Sequence, residues 1–172
     1  MMSNPSKGFP LNGCDTFMLA MDGDMRRHGS PGNICHLLVT LSHGVDLEAL
    51  TSKIRLLPLF TYLSSLRLRT PFLGVPRWKT GRQARDLKAI SALSISTTEE
   101  LECYILEHSV NVRCEAPFGV ILLPHLQAGP SLLFYWHHSL CDARGGESLV
   151  HSLADAHNQP PTVPHDPFGP TG

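Results

Sequence analysis

The segment "LLFYWHHSLCDARGGESLV" (residues 132–150) is a run of bulky apolar residues that ends in two adjacent histidines. An aspartate follows four residues after the second histidine, and a pair of glycines then opens a helix-like pattern. A buried strand needs no such polar ending. A histidine at the junction of a strand and a helix is well placed for proton transfer, because the strand fixes its backbone while the turn opens its ring to a pocket.

The two histidines are predicted to lie in different environments, because successive side chains of a strand point to opposite faces. One face is predicted to carry Leu132, Phe134, Trp136 and His138, and the other Leu133, Tyr135 and His137. Only one histidine is therefore expected to do chemistry. On spacing alone, a structural histidine pair is the more frequent arrangement. Asp142 is placed either to cap the next helix or to pair with an arginine.

The composition is that of one globular domain. The chain has 172 residues, of which 42% are hydrophobic and 17% are charged, with a net charge of −1. This balance supplies a core and gives no basic excess, so nucleic acid is not a predicted partner. Charge or proline interrupts every apolar run, so no membrane span is predicted. The first residues lack the apolar centre of a signal peptide, and a cytoplasmic location is the expectation.

The five cysteines have no C-x-x-C spacing, which predicts free thiols rather than a disulfide framework or a zinc site. Cys141 beside Asp142 leaves a thiol nucleophile as an alternative, although nothing marks this thiol as activated. A metal site formed by His137, His138 and Asp142 is a weaker alternative. The strand alternation separates the two histidines and no further ligand cluster accompanies them, so no metal is predicted.

Most of the chain shows helix or strand patterns of ordinary length. The predicted elements are a buried strand at 34–41, an amphipathic helix at 45–57, a second helix at 96–111, an antiparallel hairpin from 118–126 and 131–138, and a closing helix at 143–157. The order predicts an α/β fold, a two-layer mixed sheet covered by helices. Residues 1–157 are predicted to form the domain, and the Pro-rich residues 158–172 a linker or tail.

Five other segments are less regular. The predictions are a short helix at 14–22 with Asp15 as a cap, a loop at 23–33, an ambiguous helix or strand at 59–69, a short edge strand at 75–80, and another strand at 85–93. The edge position of 75–80 follows from Pro76, which cannot donate a ladder hydrogen bond.

The stretch "HHSLCDARGG" (137–146) resembles the HHxxxDG motif of the CoA-dependent acyltransferase superfamily. That superfamily includes chloramphenicol acetyltransferase, the condensation domains of nonribosomal peptide synthetases and the bacterial wax ester synthase/diacylglycerol acyltransferases. Residues 9–156 are most similar to the N-terminal half of the last group, through the opening "PLNGCDTFMLAMD", the strand and helix after it, and an "RLR...G.PRW" segment. The resemblance implies one half of a chloramphenicol-acetyltransferase-like fold.

The resemblance also implies roles for the motif residues. His138 would be the general base that deprotonates an alcohol or amine for attack on an acyl thioester. His137 would be structural, and Asp142 would hold the site through an arginine, for which Arg113 is a candidate. Trp136 and Phe134 are candidates for binding the acyl chain, with core packing as the alternative. The implied reaction moves a fatty acyl group from acyl-CoA to an alcohol or diacylglycerol, with acyl-CoA as substrate and no cofactor.

Two departures from the family pattern leave alternatives open. Ala143 occupies the position of the motif glycine, which is used where a positive φ or a close approach is needed. The wax-ester-type members are also much longer and have two similar halves, of which this chain matches the first. The alternatives are an acyltransferase completed by a second-half protein, a homo-oligomer, and an inactive binding or assembly domain that retains the fold. Peripheral membrane or lipid contact is also left open.

Overall fold

The computed structural model describes residues 8–80 and 89–158 of the chain. These residues form β1 (Phe9–Pro10), α1 (Gly13–Arg27), β2 (Ile34–Thr40), α2 (Leu47–Leu56), α3 (Pro58–Ser65), β3 (Leu66–Arg69), β4 (Arg77–Thr80), β5 (Ile90–Ala92), α4 (Thr98–Glu107), β6 (Phe118–Leu123), β7 (Ser131–His137) and α5 (Ala143–Asn158). The strands form two sheets, ordered β2-β7-β6-β5 and β1-β4-β3. The predicted α/β class is confirmed, and α5 extends one residue beyond the predicted domain boundary.

The larger sheet is built around the predicted hairpin of β6 and β7. The two strands pair antiparallel, with Phe118 opposite Trp136 and Val120 opposite Phe134. β2 pairs antiparallel with the other edge of β7, while β5 pairs parallel with β6, which makes the sheet mixed. Every residue of β7 is buried, as expected for a central strand whose sequence is continuously apolar.

Helices cover both faces of this sheet. On one face, Phe60 of α3 meets Phe118 edge-on, with ring centroids 6.1 Å apart, and Gly146 of α5 lies against Trp136. On the other face, His108 at the end of α4 packs edge-on against Tyr135 at 4.7 Å. The side chains predicted to alternate along 132–138 therefore face two different coverings, α3 and α5 on one side of the sheet and the end of α4 on the other. In the described part of the chain, no helix is both long and apolar enough to cross a membrane.

Helix α1 is longer than predicted. Asn12 is its N-cap, and a reciprocal capping box joins the Asn12 side chain to the Asp15 N–H and the Asp15 carboxylate to the Asn12 N–H. The helix continues to Arg27, so the loop predicted at 23–33 is wrong for its first five residues. A single glycine such as Gly23 costs a helix only about 1 kcal/mol, which the capping and packing of α1 offset.

The prediction of an edge position for 75–80 is also wrong. β4 is the central strand of the smaller sheet, between β1 and β3. Pro76 precedes the strand, so its missing N–H removes no ladder bond, and its carbonyl accepts a hydrogen bond from Leu11 at 2.9 Å. The ambiguous segment 59–69 contains both α3 and β3. The strand predicted at 85–93 is present at Ile90–Ala92, and residues 85–88 lie outside the described residues.

Gly146 sets how closely α5 approaches β7. A Cβ atom added there would overlap the indole ring of Trp136, whereas one added at Gly23 of α1 would meet nothing within 4 Å. We expect Gly146→Ala to lower the free energy of unfolding by about 1–3 kcal/mol through overpacking. We expect Gly23→Ala to raise it by about 0.5–1 kcal/mol. Urea unfolding followed by circular dichroism measures both, and equal effects of the two substitutions would contradict the packing described.

Candidate active site

His137 is a wholly buried link between β7 and α1. Its Nε2 lies 3.2 Å from Oδ1 of Asp22, and the Ser139 backbone N–H donates to its Nδ1 at 3.2 Å. Since a backbone N–H can only donate, Nδ1 is the accepting nitrogen and Nε2 carries the proton that faces the carboxylate. The Nε2 contact falls outside the angle of an aligned hydrogen bond, so its attraction is mainly electrostatic.

Asp22 is the buried carboxylate of the site. It accepts hydrogen bonds from Nε of Arg26 and from the backbone N–H of Asn33, each at 2.8 Å, in addition to its contact with His137. Burial alone would raise the pKa of this carboxyl group. The attraction of His137 and the hydrogen bonds from Arg26 and Asn33 outweigh burial and hold the pKa of Asp22 well below its usual range. Asp22 is therefore ionised throughout the physiological pH range.

Arg26 extends this network to the segment that follows α4. Its Nη1 donates to Oγ of Ser109 at 2.6 Å and its Nη2 to the carbonyl of Val110 at 2.9 Å. Asp22 and Arg26 form the carboxylate–arginine pair of the site. Their spacing of four residues is one that brings side chains together on a helix. The sequence pattern did not predict this pair, because residues 23–33 were predicted to form a loop.

Asp142 and Arg113 do not pair with each other. Oδ1 of Asp142 accepts the Gly145 N–H at 2.7 Å, which caps the first turn of α5. Arg113 instead donates to Oγ1 of Thr70 at 3.3 Å. Asp142 therefore caps α5, which is one of the two roles predicted for it. The predicted pairing of Arg113 with Asp142 is absent.

His138 is the first residue after β7 and begins the turn into α5. Its backbone N–H donates to the carbonyl of Asn33 at 3.0 Å, while the N–H of the same Asn33 donates to Asp22. Asp22 thereby holds the backbone of His138 through one intervening residue. The His138 ring is half-buried, and its Nδ1 is buried with no hydrogen-bond partner among the described residues.

Trp136 and Phe134 are both buried in the core on the α5 side of the sheet. The Trp136 ring packs against Gly146, and the Phe134 and Phe118 ring centroids are 6.3 Å apart. These contacts are those of core residues, and an acyl-binding role for either ring stays a prediction. Nε1 of Trp136 is a second buried polar atom without a partner in the described part of the chain.

Cys141 is not an activated nucleophile. Burial raises the pKa of its thiol to about 12, and the nearby Cys35, Asp142 and Asp15 add to the increase. A thiol in this state is protonated at neutral pH and reacts slowly. Within residues 8–80 and 89–158, no group of three or more His, Cys, Asp or Glu residues is arranged to hold a metal ion.

Ala143 fits its position without backbone strain. It is the first residue of α5, and no non-glycine residue in the described ranges has a positive φ. The side chain is exposed, so the methyl group is not crowded either. The close approach that a glycine permits occurs at Gly146 instead, against Trp136. Replacement of the motif glycine at 143 therefore does not distort the turn that carries His138.

Two cavities lie away from His138. One, of about 550 Å³, adjoins the loop between β3 and β4, and the other, of about 140 Å³, lies beside the end of α4. Neither is lined by His138. The pocket expected in front of the His138 ring is therefore not one of these cavities.

The fold was compared with those of known proteins. No family model and no curated protein matches the chain. Among solved structures, the first condensation domain of the CDA synthetase matches with a TM-score of 0.70 at 14% identity, covering 96% of this chain and 42% of that one. The chain has the fold of part of a condensation domain. The family resemblance suggested by the sequence is thus confirmed at the level of the fold.

Two further structures show the same fold. The starter condensation domain of the rhizomide synthetase RzmA matches with a TM-score of 0.64 at 15% identity, covering 88% of this chain and 37% of that one. The wax ester synthase/diacylglycerol acyltransferase from Marinobacter aquaeolei VT8 matches with a TM-score of 0.58 at 20% identity, covering 84% and 36%. This chain therefore spans about two fifths of the length of these structures, as expected for one half of a chloramphenicol-acetyltransferase-like fold.

A second polar cluster lies on the α4 side of the sheet. His36 of β2 and His108 form a hydrogen bond of 2.8 Å between Nε2 and Nδ1. Tyr104 stacks on the His108 ring at 5.1 Å, and Tyr135 meets the same ring edge-on. Burial lowers the pKa of His36 to about 4, with the charge of His108 as a second cause. Burial also lowers the pKa of His108, against an opposing effect of Glu115.

The Asp22 network should be required for stability. We expect Asp22→Asn to lower the free energy of unfolding by about 2–3 kcal/mol, because it removes a buried charged acceptor from Arg26 and His137. Asp24→Asn is the matched control, since that exposed carboxylate pairs only with exposed groups on the same helix and should change stability little. Urea midpoints at pH 7 measure both variants. An equally small effect of both would refute the importance assigned to Asp22.

The histidine pair should make the fold acid-sensitive between pH 6.5 and 4. Because the pKa of His36 is lowered in the folded chain, the unfolded chain binds more protons in that window, and stability falls as pH decreases through it. We expect His36→Gln to lose less stability than the unmodified chain between pH 7 and pH 5. His125→Gln, at an exposed position, should keep the original dependence. Thermal unfolding at the two pH values tests this, and parallel losses in all three proteins would contradict it.

Proposed function

We propose that this chain is an O-acyltransferase-type domain that transfers a fatty acyl group from acyl-CoA to an alcohol or diacylglycerol. His138 is the general base in this proposal. The observation that carries it is the position of His138, a half-buried imidazole at a turn whose backbone is fixed through Asn33 and Asp22. The fold that presents this ring is shared with condensation domains and with a wax ester synthase/diacylglycerol acyltransferase.

The unsatisfied atoms beside the turn support a functional use of this region. Nδ1 of His138 and Nε1 of Trp136 are both buried without a partner among the described residues. An unsatisfied buried polar group costs a protein about 1–3 kcal/mol, and such groups are uncommon in native structures. The free-energy cost of leaving Nδ1 of His138 unsatisfied supports a chemical role for this ring rather than a packing role.

The proposed step uses the Nε2 atom of His138. As the hydroxyl oxygen of the acceptor attacks the thioester carbonyl carbon, Nε2 accepts the hydroxyl proton and a new C–O bond forms. The tetrahedral intermediate then collapses, the C–S bond breaks, and the imidazolium returns the proton to the thiolate of CoA. The products are an ester and free CoA thiol, so the step is balanced without a metal or redox cofactor. His137 and Asp142 act as positioning residues, through Asp22 and through the first turn of α5.

Acyl-CoA as the donor is supported by what the structural neighbours bind. A variant of the rhizomide starter condensation domain, with a TM-score of 0.65 and 15% identity to this chain, was solved in complex with C8-CoA. The Marinobacter protein is named as a diacylglycerol acyltransferase. The fatty chain length and the choice between an alcohol and diacylglycerol belong to this proposal and not to the shared fold.

A second half of the fold, or another copy of this chain, is part of the proposed active form. This chain spans 36–42% of the compared structures, and neither of the two described cavities reaches His138. We infer that a second-half protein or another copy supplies the wall opposite the ring and encloses the substrates. Closure of that space would exclude water and hold the hydroxyl and thioester together, which supplies much of the acceleration in acyl transfer.

The direct test is release of CoA thiol. The full chain, alone and mixed with a candidate second-half protein, is incubated with a long-chain acyl-CoA and either a long-chain alcohol or diacylglycerol. We expect acceptor-dependent thiol release, and we expect His138→Ala to reduce its rate by about 10²–10⁴-fold, the range for a lost general base. His151→Ala, at an exposed histidine of α5, is the matched control and should retain the rate. Thiol release no greater than that of His138→Ala in every mixture would defeat the proposal.

An inactive assembly domain is the second candidate function. The observation that favours it is the exposed apolar surface of α1, where Phe17 and Met21 lie one turn apart on the outside of the protein. A surface of this kind is typical of a protein interface. Stable association with another chain, together with thiol release that His138→Ala does not change, would favour this candidate. Turnover that is gained by Ala143→Gly would favour the enzyme instead.

A further inference from the structure

The loop between β3 and β4 exposes bulky apolar side chains at its tip. Phe72 is 100% exposed, Leu73 is 85% exposed and Val75 is 49% exposed. A loop that faces only water is normally polar, and three large apolar residues within four positions are unusual in one. The tip therefore presents a compact apolar surface to the outside of the molecule.

Strands β3 and β4 and the loop between them form the β3–β4 hairpin. Its two strands are held by the rest of the protein, so the loop tip projects from a rigid support. Leu68 and Trp78 pair across the two strands and are both buried. The Leu68 N–H donates to the carbonyl of Val112 at 2.8 Å, and β1 pairs with the outer edge of β4. Arg113 also bonds the side chain of Thr70, the first residue after β3. These contacts hold the hairpin on both sides up to the start of the loop.

The outer face of the hairpin is strongly cationic. In the strand register, Arg67 lies opposite Lys79 and Arg69 lies opposite Arg77. Strand alternation places these four cations on the face opposite the buried Leu68 and Trp78. Residues 66–80 contain no Asp or Glu, although the whole chain has a net charge of −1. In the described part of the chain, no carboxylate forms an ion pair with Arg69, Arg77 or Lys79.

A cleft joins the cationic face to the apolar tip. Its volume is about 550 Å³, and its lining includes Arg69, Arg77, Lys79 and Leu73. Like charges directly opposite each other in a sheet repel, so the pair of Arg69 and Arg77 is unfavourable until an anion lies between them. The cationic face and the apolar tip together are complementary to an anionic surface that has an apolar layer beneath it.

We propose that the β3–β4 hairpin docks this protein on an anionic lipid bilayer. Phe72 and Leu73 enter the boundary between headgroups and acyl chains, while Arg69, Arg77 and Lys79 contact lipid phosphates. Apolar insertion and attraction to anionic lipid are the two contributions that bind interfacial segments to membranes. The docking uses no residue of the His138 turn, so it does not depend on the proposed acyl transfer.

The test is co-sedimentation of the full chain with vesicles. The probes are vesicles of phosphatidylcholine alone and vesicles with about one third phosphatidylserine, whose surface potential attracts basic residues. We expect binding to the anionic vesicles and little to the neutral ones, with weaker binding as salt increases from about 0.1 to 0.5 M. Phe72→Ser combined with Leu73→Ser should weaken binding at least about tenfold, given the apolar area lost. Each of Arg69→Gln, Arg77→Gln and Lys79→Gln should weaken it about fivefold.

Helix α2 offers a matched control of the same chemistry. Leu56 is exposed there, and Lys53 and Arg55 precede it in the last turn. Leu56→Ser with Lys53→Gln and Arg55→Gln should leave vesicle binding unchanged. The depth of insertion of the loop tip is tested with Phe72→Trp. On vesicles, the fluorescence of the added tryptophan should shift to the blue and be quenched by brominated lipid. Trp78 and Trp136 are both buried, so the change reports on position 72.

Three results of the vesicle experiments would overturn the proposal. They are no binding to anionic vesicles at low salt, an equal loss of binding in the α2 control and the hairpin variants, and no spectral change of Phe72→Trp on vesicles. Self-association that the hairpin variants abolish, without lipid binding, would assign the tip to a protein contact and would also overturn it. Circular dichroism and unfolding midpoints of each variant establish that it is folded, so that lost binding reports on the hairpin.

Discussion

The buried carboxylate of Asp22 is the group on which the candidate site depends. A charge that is 7% exposed is stable only with partners, and Asp22 has donors in three parts of the chain: Arg26 on its own helix, the backbone of Asn33, and His137 at the end of β7. Its contact with His137 joins residues 115 positions apart in the chain. The place of α1 on the sheet and the position of the turn that follows β7 are thus coupled through one carboxylate.

The two adjacent histidines lie in different environments because β7 ends between them. His137 points into the Asp22 network and is wholly buried, whereas His138 has left the strand and presents a half-buried ring. A shift of one position in the register would turn the His137 side chain to the opposite face of the sheet, because side chains alternate with a period of two. The pairing of β2 with β7 fixes that register, with Ile34 opposite His137. The ladder thereby fixes His137 beside Asp22 and leaves His138 at the start of the turn.

The described residues present three regions of different chemistry on a shared fold. The structure matches condensation domains over most of this chain and over about two fifths of theirs. The His138 turn, the apolar surface of α1 and the β3–β4 hairpin are three different parts of the described fold. Each has a different chemistry: an imidazole, a patch of Phe17 and Met21, and an apolar tip beside a cationic face.

The sequence alone determined the features that depend on neighbouring residues. The alternation of 132–138 separated the two histidines, the two apolar runs at 118–126 and 131–138 predicted an antiparallel hairpin, and the helix predicted at 96–111 contains α4. These follow from local rules, because strand period, turn composition and helix capping act over fewer than about ten residues. The motif resemblance added the fold class, which the structural comparison confirms.

Only the tertiary structure decided which distant surfaces meet. It placed the carboxylate of Asp22 beside His137, placed β4 at the centre of its sheet, and assigned the close helix approach to Gly146 rather than to position 143. None of these is encoded in a local pattern, because an aspartate on a helix looks the same whether its carboxylate meets water or a buried imidazole. The free energy of burying that charge depends on partners more than a hundred residues away, and these are assembled only when the sheet and helices pack.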